Sequence, residues 1–412
     1  MKKVLVLCAQ DRDYRELSFI KDEYDFIFHE LNNLGLQYCL RNASEFNDTL
    51  KIIKDLISEY KEQNIDAVLS SNDYPGIIFA AILAKELNLV APEIEQIILC
   101  QHKYYCRLQQ KKVIPECVPN FHLLENENKL GYPFFVKPVK SAFSLNSKAI
   151  KSPSDLKDIL SLNPVPKNFT HSFEQVVQNY SSIKDPVDRF LAEELIEGHQ
   201  VTIEGFVFRG RVYFLGIVDS NFYQDTICFE SFIYPTTLPE NVQNRIKDIS
   251  KKFIKFINFD NGFFNIEFIY NFDKDSLHLI EINPRISPQF ADLYEKVDGT
   301  NSYKILLKIV LNEEPKITQN EGQYSAAGSF VLRVFNDAIV KRIPLPNEID
   351  RAKFFCPDMR LEIYAKSRCK LSDFPQDGKS FRYAVYNIGA KSREKLRSLA
   401  DEIKSILNFQ FL

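Results

Sequence analysis

Apolar and polar positions alternate over the first hundred or so residues so as to predict strand and helix by turns. Val4–Cys8 is an unbroken apolar run of buried-strand length. Asp13 to about Asn33 has helical character, and Leu36–Leu40 reads as a second short strand. Across Asp48–Gln63 apolar residues fall at Leu50, Ile53, Leu56, Ile57 and Tyr60, a helical period. Asp66–Ser70 is a third strand. Asn72-Asp73-Tyr74-Pro75-Gly76 is a turn signal, and Pro75 opens a helix rich in Ala and Ile over Gly76–Leu87. This spacing predicts a parallel sheet with helices on both faces.

The pattern loosens between His102 and Ile196. A helix is expected over Lys103–Gln110, strands near Phe134–Lys137 and Lys148–Ile150, and a helix after Ser152-Pro153-Ser154-Asp155. Polar, proline-bearing stretches occupy Asn163–Lys167 and Ser181–Asp188. From Arg189 to Leu311 strands dominate: Leu191–Leu195, Val201–Phe208, Arg211–Val218, Phe263–Tyr270 and Leu277–Ile282. Phe208-Arg209-Gly210-Arg211 is a hairpin turn, Pro239–Asn258 a long amphipathic helix and Tyr303–Leu311 another. Strands near Ser329–Val334, Arg360–Ala365 and Ser380–Tyr386 and a helix over Ser392–Leu407 complete the chain. Strands with segregated helices read as α+β.

Composition sharpens this outline. The 412 residues suit two or three domains. With no Trp but 34 Phe and 19 Tyr, phenyl rings are expected to fill the cores. A net charge of −3 gives no broad attraction to nucleic acid or anionic membrane. Lys2-Lys3 and the apolar run after them imitate a secretory leader. The run is too short and meets Asp11-Arg12-Asp13 at once, so a buried first strand is expected. No stretch approaches the length of a membrane span. The eight cysteines are scattered, without C-x-x-C or zinc spacing. They read as small buried hydrophobes in a reducing cytoplasm.

Chemistry concentrates near residues 263–285. Phe264-Asn265-Ile266-Glu267-Phe268 puts Glu267 on a strand between bulky apolar residues. Ile280-Glu281-Ile282-Asn283-Pro284-Arg285 puts Glu281 and Asn283 two apart, on one face of a strand. If the two strands pair, two carboxylates and an amide converge, a donor set suited to Mg²⁺. A solvated sheet face would explain one such Glu. The apolar flanks argue for burial, where a carboxylate without a cation is costly. Arg285 adds a positive fork suited to phosphate or carboxylate.

Glu281-Ile282-Asn283-Pro284-Arg285, preceded by the strand Glu267, resembles the magnesium motif of the ATP-grasp superfamily. Three further motifs, earlier in the chain, fall in that family's order. Tyr132-Pro133-Phe134-Phe135-Val136-Lys137-Pro138 resembles the strand whose lysine holds ATP phosphates. Glu193-Glu194-Leu195-Ile196-Glu197-Gly198 resembles the hinge that reads adenine. His102-Lys103-Tyr104 resembles the helix start with a second nucleotide-binding lysine. The resemblance runs from about residue 1 to 315. It implies an N-terminal parallel α/β domain over residues 1–100, a small lobe and lid over 101–196, a catalytic lobe over 197–315 and a C-terminal α+β subdomain over 316–412.

It also implies roles. Lys103, Lys137, Ser141, Ser144, Glu193, Glu194, Ile196 and Gln200 would bind ATP, with Glu193 accepting the adenine amino proton and Ile196 acting through its backbone. Glu267, Glu281 and Asn283 would hold Mg²⁺, with Mn²⁺ as a substitute. Arg285 and Lys137 would act in catalysis. Gln200 stands where many family members have a ribose-binding Glu; an amide also bonds hydroxyls. Glu204 points toward the same cleft, and Ser287 and Gln289 are candidate substrate contacts. The lid departs from the family: Val139-Lys140-Ser141-Ala142-Phe143-Ser144-Leu145-Asn146-Ser147 holds no glycine.

The implied activity is that of a cytoplasmic ligase. It would activate a small-molecule carboxylate as an acyl phosphate with Mg-ATP and join it to an amine, as amino-acid ligases do. A biotin carboxylase-like reaction and a nucleotide-binding regulator without turnover are the alternatives. Family analogy implies a homodimer, without nucleic-acid or membrane partners.

Overall fold

Both faces of the first strand are buried. In the computed structural model Lys2–Leu7 lies between Tyr24–His29 and Ala67–Leu69 in a three-stranded parallel sheet. Leu5 and Leu7 pack with the helices Thr49–Tyr60 and Gly76–Glu86, while Val4 and Val6 pack with Asp11–Ser18 and Ser302–Val310. Helices therefore cover both faces, as a parallel sheet requires. The structure describes residues 1–31, 33–125, 129–374, 376 and 380–412.

The second strand of this sheet is Tyr24–His29, inside the stretch expected to be helical. Its Phe28 ring sits 4.3 Å from that of Tyr14, which carries the turn from helix to strand. Leu36–Leu40, expected as a strand, lies in the helix Leu36–Arg41. Its buried residues, Leu36 and Cys39, stand three apart, the spacing of a helix face.

Two larger antiparallel sheets follow, besides the two-stranded pair Val340–Arg342 with Gln410–Phe411. The smaller runs Phe121–Leu123, Phe190–Glu194, Phe134–Pro138, Lys148–Ile150 in spatial order. The larger has eight strands. Its order is Ser276–Asn283, Gly262–Asn271, His199–Phe208, Arg211–Phe222, Phe229–Tyr234, Ala326–Val334, Phe381–Ala390, Arg360–Ile363. The hairpin joining His199–Phe208 to Arg211–Phe222 turns through Arg209 and Gly210, both at positive φ, as a tight two-residue turn needs. The strand Phe229–Tyr234 and the helices Ile94–Gln101, Lys167–Tyr180, Ala291–Asp298 and Pro346–Phe355 were not anticipated. The helix Lys167–Tyr180 fills the gap between the two proline-bearing stretches and buries Phe169, Phe173, Val176 and Val177.

Phenyl rings do fill the interior; Phe79, Phe134, Phe206, Phe253 and Phe263 are fully buried. All eight cysteines are free, seven of them buried. No described helix is long and apolar enough to cross a membrane.

Candidate nucleotide and metal site

The strands Gly262–Asn271 and Ser276–Asn283 pair antiparallel, with Glu267 opposite Glu281 and Asn265 opposite Asn283. On the other side Thr202 stands opposite Glu267 and Glu204 opposite Asn265. Partners across a ladder share a face, so two ranks of polar side chains rise from one side of the sheet. Asn283 donates its amide to Glu267 Oε1 at 3.4 Å, and Gln200 donates to Glu267 Oε2 at 3.0 Å. Gln200, expected at a ribose, is thus tied to the carboxylate pair.

Two like charges face each other in this row, and their surroundings divide them. Burial, then the charge of Glu281, pushes Glu267 up to about 7. Burial works against Glu281 too, but Lys103 and Lys137 outweigh it and hold it below the usual range. Lys103 Nζ lies 2.9 Å from Glu281 Oε1. In the second rank, burial pushes Glu204 up to about 8, with Ser287 N and Asn265 Nδ2 donating to it.

A bulge interrupts the ladder beside the pair. Glu267 faces Glu281 but Phe268 faces Leu279, which leaves Ile280 as the extra residue. The Ile280 carbonyl accepts from Lys137 Nζ at 3.1 Å and from Arg107 Nη2 at 2.8 Å. Both cations also grip Glu193: Arg107 Nε reaches Oε1 at 2.5 Å and Lys137 Nζ reaches Oε2 at 2.7 Å. Burial alone would raise Glu193, yet Arg107 and Lys137 hold it at about 2. Expected to meet an adenine amino group, the Glu193 side chain spends both oxygens on these cations. It ties the strand Phe190–Glu194 to the helix Lys103–Val113 and to Phe134–Pro138, and through the two cations to the Ile280 carbonyl. Glu194, next along, is exposed and accepts from Asn120 Nδ2 at 3.1 Å; Ile196 is half-buried.

Arg107 gave no sequence signal beyond being charged. Asp73 is a second residue that the motifs missed, although its turn was legible. It sits at the carboxyl end of the third parallel strand, where open α/β sheets bind ligands. Asp73 Oδ1 accepts from Gln101 Nε2 at 2.7 Å and lies 3.4 Å from Lys140 Nζ. Its Oδ2 lies 3.7 Å from Arg285 Nη2. Burial opposes ionisation of Asp73, but Lys140 and Arg285 hold it at about 2. Lys140 is buried under the rings of Tyr74 and Phe173, and burial lowers it to about 8.

The lid has an unusual backbone. Phe143, Ser144 and Asn146 all take positive φ, at 57°, 53° and 54°, where glycine is the usual occupant. Ser141 is buried, its Oγ donating to the Leu145 carbonyl at 3.4 Å, while Phe143 is exposed. The Ser141 carbonyl lies 3.5 Å from Lys103 Nζ, which links the lid to the carboxylate pair.

The donor set can be tested against the metal it was expected to hold. Glu267, Glu281 and Asn283 form a partial oxygen shell, of the kind Mg²⁺ completes with phosphates and water. Among the described residues no three His, Cys, Asp or Glu side chains gather as a closed metal centre. The donor set fits: two carboxylates facing each other across the ladder beside the Asn283 amide would have their burial and mutual repulsion offset by a cation.

Five lysines and arginines (Lys103, Arg107, Lys137, Lys140 and Arg285) meet carboxylates between a small antiparallel sheet and the edge of a larger one. This is the ATP-grasp fold, and residues 130–293 match the family of the ATP-grasp domain. Over 108 residues the chain is 32% identical to the large chain of carbamoyl phosphate synthase from Bifidobacterium adolescentis. That stretch is 26% of this chain and 9% of that protein. Solved structures resemble the whole chain at low identity. An L-amino acid ligase from Bacillus licheniformis superposes with a TM-score of 0.72 at 16% identity, covering 100% of this chain and 99% of that one. A phosphoribosylglycinamide synthetase from Anaerococcus prevotii superposes at 0.68 and 18% identity, covering 100% of each.

Proposed function

We propose that the chain is an ATP-dependent ligase that activates a carboxylate as an acyl phosphate and passes the acyl group to an amine. The observation that carries this reading is the row Glu267–Glu281. Two carboxylates face each other beside Asn283, with Lys103 on one of them and Lys137 next to the bulge. Mg²⁺ would be held by Glu267, Glu281 and Asn283, and it would neutralise charge on the ATP phosphates.

The chain's own side chains then act by position and charge. Lys103, Lys137 and Arg285 offer positive charge to the phosphates in a site sheltered from water. Glu193, itself gripped by Arg107, holds Lys137 in place, and Asp73 does the same for Lys140 and Arg285. Ser141 and Ser144 bring the lid backbone toward the phosphates. Gln200 steadies Glu267 and presents an amide toward the ribose, while the hinge at Glu194 and Ile196 meets adenine through its backbone. A substrate carboxylate oxygen bonds to the γ-phosphorus as the bond to the bridging oxygen breaks, giving ADP and an acyl phosphate. The amine nitrogen then bonds to the acyl carbon and gives up a proton to the departing group, and inorganic phosphate leaves with the former carboxylate oxygen. No protein nucleophile is needed.

The test is an ADP-release screen over amino acids, dipeptides, hydroxy acids and bicarbonate with Mg-ATP. Release that depends on an amino acid or dipeptide is the expected result. Release that needs bicarbonate and biotin would replace this reading with carboxylation. Binding of Mg-ATP with no release under any condition would replace it with a regulatory one.

A further inference from the structure

A second pair of like charges faces across the same sheet. Arg333 and Arg382 stand directly opposite one another on the strands Ala326–Val334 and Phe381–Ala390. Two guanidinium groups in this position repel. The ladder has also been bent to create the pair. Leu332 faces Ala384 while Arg333 faces Arg382, which leaves Tyr383 as the extra residue of a bulge. Without the bulge, Arg382 would share the face of Ala384 and Tyr386, inside a hydrophobic core. With it, Arg382 joins the face of Ser329 and Asn387.

That face looks onto the segment that follows the magnesium motif. Gln289 donates to Ser329 Oγ at 2.8 Å, and Asn387 donates to the Gln289 carbonyl at 3.3 Å. Arg12, from the N-terminal domain, donates to Gln289 Oε1 at 3.3 Å and brings a third guanidinium. The nearby carboxylate, Glu362, is already engaged. It lies 2.6 Å from Arg12 Nε and 2.9 Å from Arg15 Nη1, and it accepts from the Tyr364 hydroxyl. Arg333 donates to the Phe229 carbonyl and to Ser380 Oγ.

Arg382 is different. Its guanidinium lies over the ring of Tyr364, 4.4 Å from the centroid. Among the described residues no carboxylate reaches it, and its side chain makes no hydrogen bond. Burial lowers it below its ordinary value, and Arg12 and Arg333 lower it further. A cavity of about 960 Å³ nearby shows the contrast. It is lined by Asp292, Glu295, Lys296, Asp358 and Arg360, and there each carboxylate already meets a lysine or arginine.

We propose that Arg382, opposite Arg333 and flat against Tyr364, binds an anionic group of the second substrate, at the end of a subsite that begins at Gln289. This rests on the ligase reading and narrows it: the acyl acceptor carries a carboxylate or a phosphate besides its amine. The bulge at Tyr383 sets this specificity, because it turns the guanidinium out of the core and toward the acceptor. A planar guanidinium suits both anions through paired N–H donors.

Calorimetry on the full chain with Mg-ADP tests this, using wild type, Arg382→Gln and Arg382→Lys. Probes come in matched pairs: L-alanine with L-alaninamide, L-glutamate with L-glutamine, and phosphoethanolamine with ethanolamine. In at least one pair wild type should bind the more anionic member about tenfold or more tighter, the strength of a charged hydrogen bond. Arg382→Gln should erase that preference and leave the affinity of the other member unchanged, a pattern that loss of structure does not give. Arg382→Lys should keep part of it. If Arg382→Gln does not fold, Tyr364→Leu, which removes the ring platform, should weaken the same preference. The pair that responds tells carboxylate from phosphate. Absence of any preference in wild type, or an Arg382→Gln protein that keeps it, overturns the proposal. ADP release is recorded on the same preparations. If no probe elicits release, the ligase reading fails, while the pairwise preference is still read from binding.

Discussion

One sheet of this protein carries two cross-strand pairs of like charge, Glu267 with Glu281 near one edge and Arg333 with Arg382 near the other. Each has a β-bulge beside it, and the bulges do different things. At the carboxylates the extra residue, Ile280, turns its carbonyl toward Lys137 and Arg107, so the backbone itself becomes a ligand for cations. At the arginines the extra residue, Tyr383, goes into the core and its neighbour is turned outward. The carboxylate pair is balanced within the chain by Lys103. The Arg382 side chain meets no acceptor among the described residues. On the two proposals made above, one end of the sheet would be completed by a cation and the other by an anion. A strand ladder brings opposed side chains within reach of one ligand, and the repulsion between them is relieved when that ligand arrives.

The largest effect is expected from removing the charge that steadies the basic end. Glu362 answers both Arg12 and Arg15, and the two arginines hold it at about 2 although burial opposes this. Glu362→Ala strands buried positive charge and should cost about 3–5 kcal/mol in urea unfolding. The sign with pH follows. A depressed folded-state value gives stability that is present above the usual Glu range and lost as pH falls toward 2. The variant should therefore lose stability less steeply on acidification.

Removing a charge at the acidic end should act on chemistry. Glu281→Gln should lower kcat for ADP release by roughly 100- to 1000-fold, the usual scale for one preorganised electrostatic group. An enzyme that keeps full activity in this variant would falsify the metal assignment. A smaller change separates the members of this pair. Glu267 is raised to about 7, so protons should compete with Mg²⁺ there. Without metal, the folded state holds this proton between the usual Glu value and about 7, so its contribution to stability falls as pH rises through that window. The midpoint of thermal unfolding without Mg²⁺ should fall between about pH 5 and pH 7, and added Mg²⁺ should reverse the trend. Glu267→Gln should flatten both responses. Smallest is Ser144→Gly, which relieves a non-glycine positive φ in the lid and should change stability by less than about 1 kcal/mol.

The acidic end was legible in the sequence because its pattern is local. Period two put Glu281 and Asn283 on one face, and apolar flanks marked burial. The basic end was not. Its register depends on a one-residue bulge at Tyr383, and Arg12 and Glu362 meet only after folding brings together residues 350 positions apart. Arg107 was hidden for a related reason: the other buried residues of its helix are Cys106, Gln109 and Gln110, too few of them apolar to mark a core-facing side. In the fold, the long periodic helices Thr49–Tyr60, Glu240–Phe256 and Arg393–Ile406 were found, while short elements were confused. Leu36–Leu40 is apolar enough for a strand, and only the spacing of Leu36 and Cys39 separates the two outcomes. The Lys167–Tyr180 helix had a readable period, masked by the prolines and polar residues before it.

The large sheet also sets a timetable. Phe229–Tyr234 pairs on one side with its neighbour in sequence and on the other with Ala326–Val334, made roughly ninety residues later. At about 5–20 residues per second, a ribosome takes on the order of 5 to 20 s to deliver that partner. Until then a strand ending in Phe232, Ile233 and Tyr234 waits with one edge unsatisfied. The nascent chain is most exposed to mispairing in that interval, and a chaperone that shields an extended apolar segment would find its opportunity there.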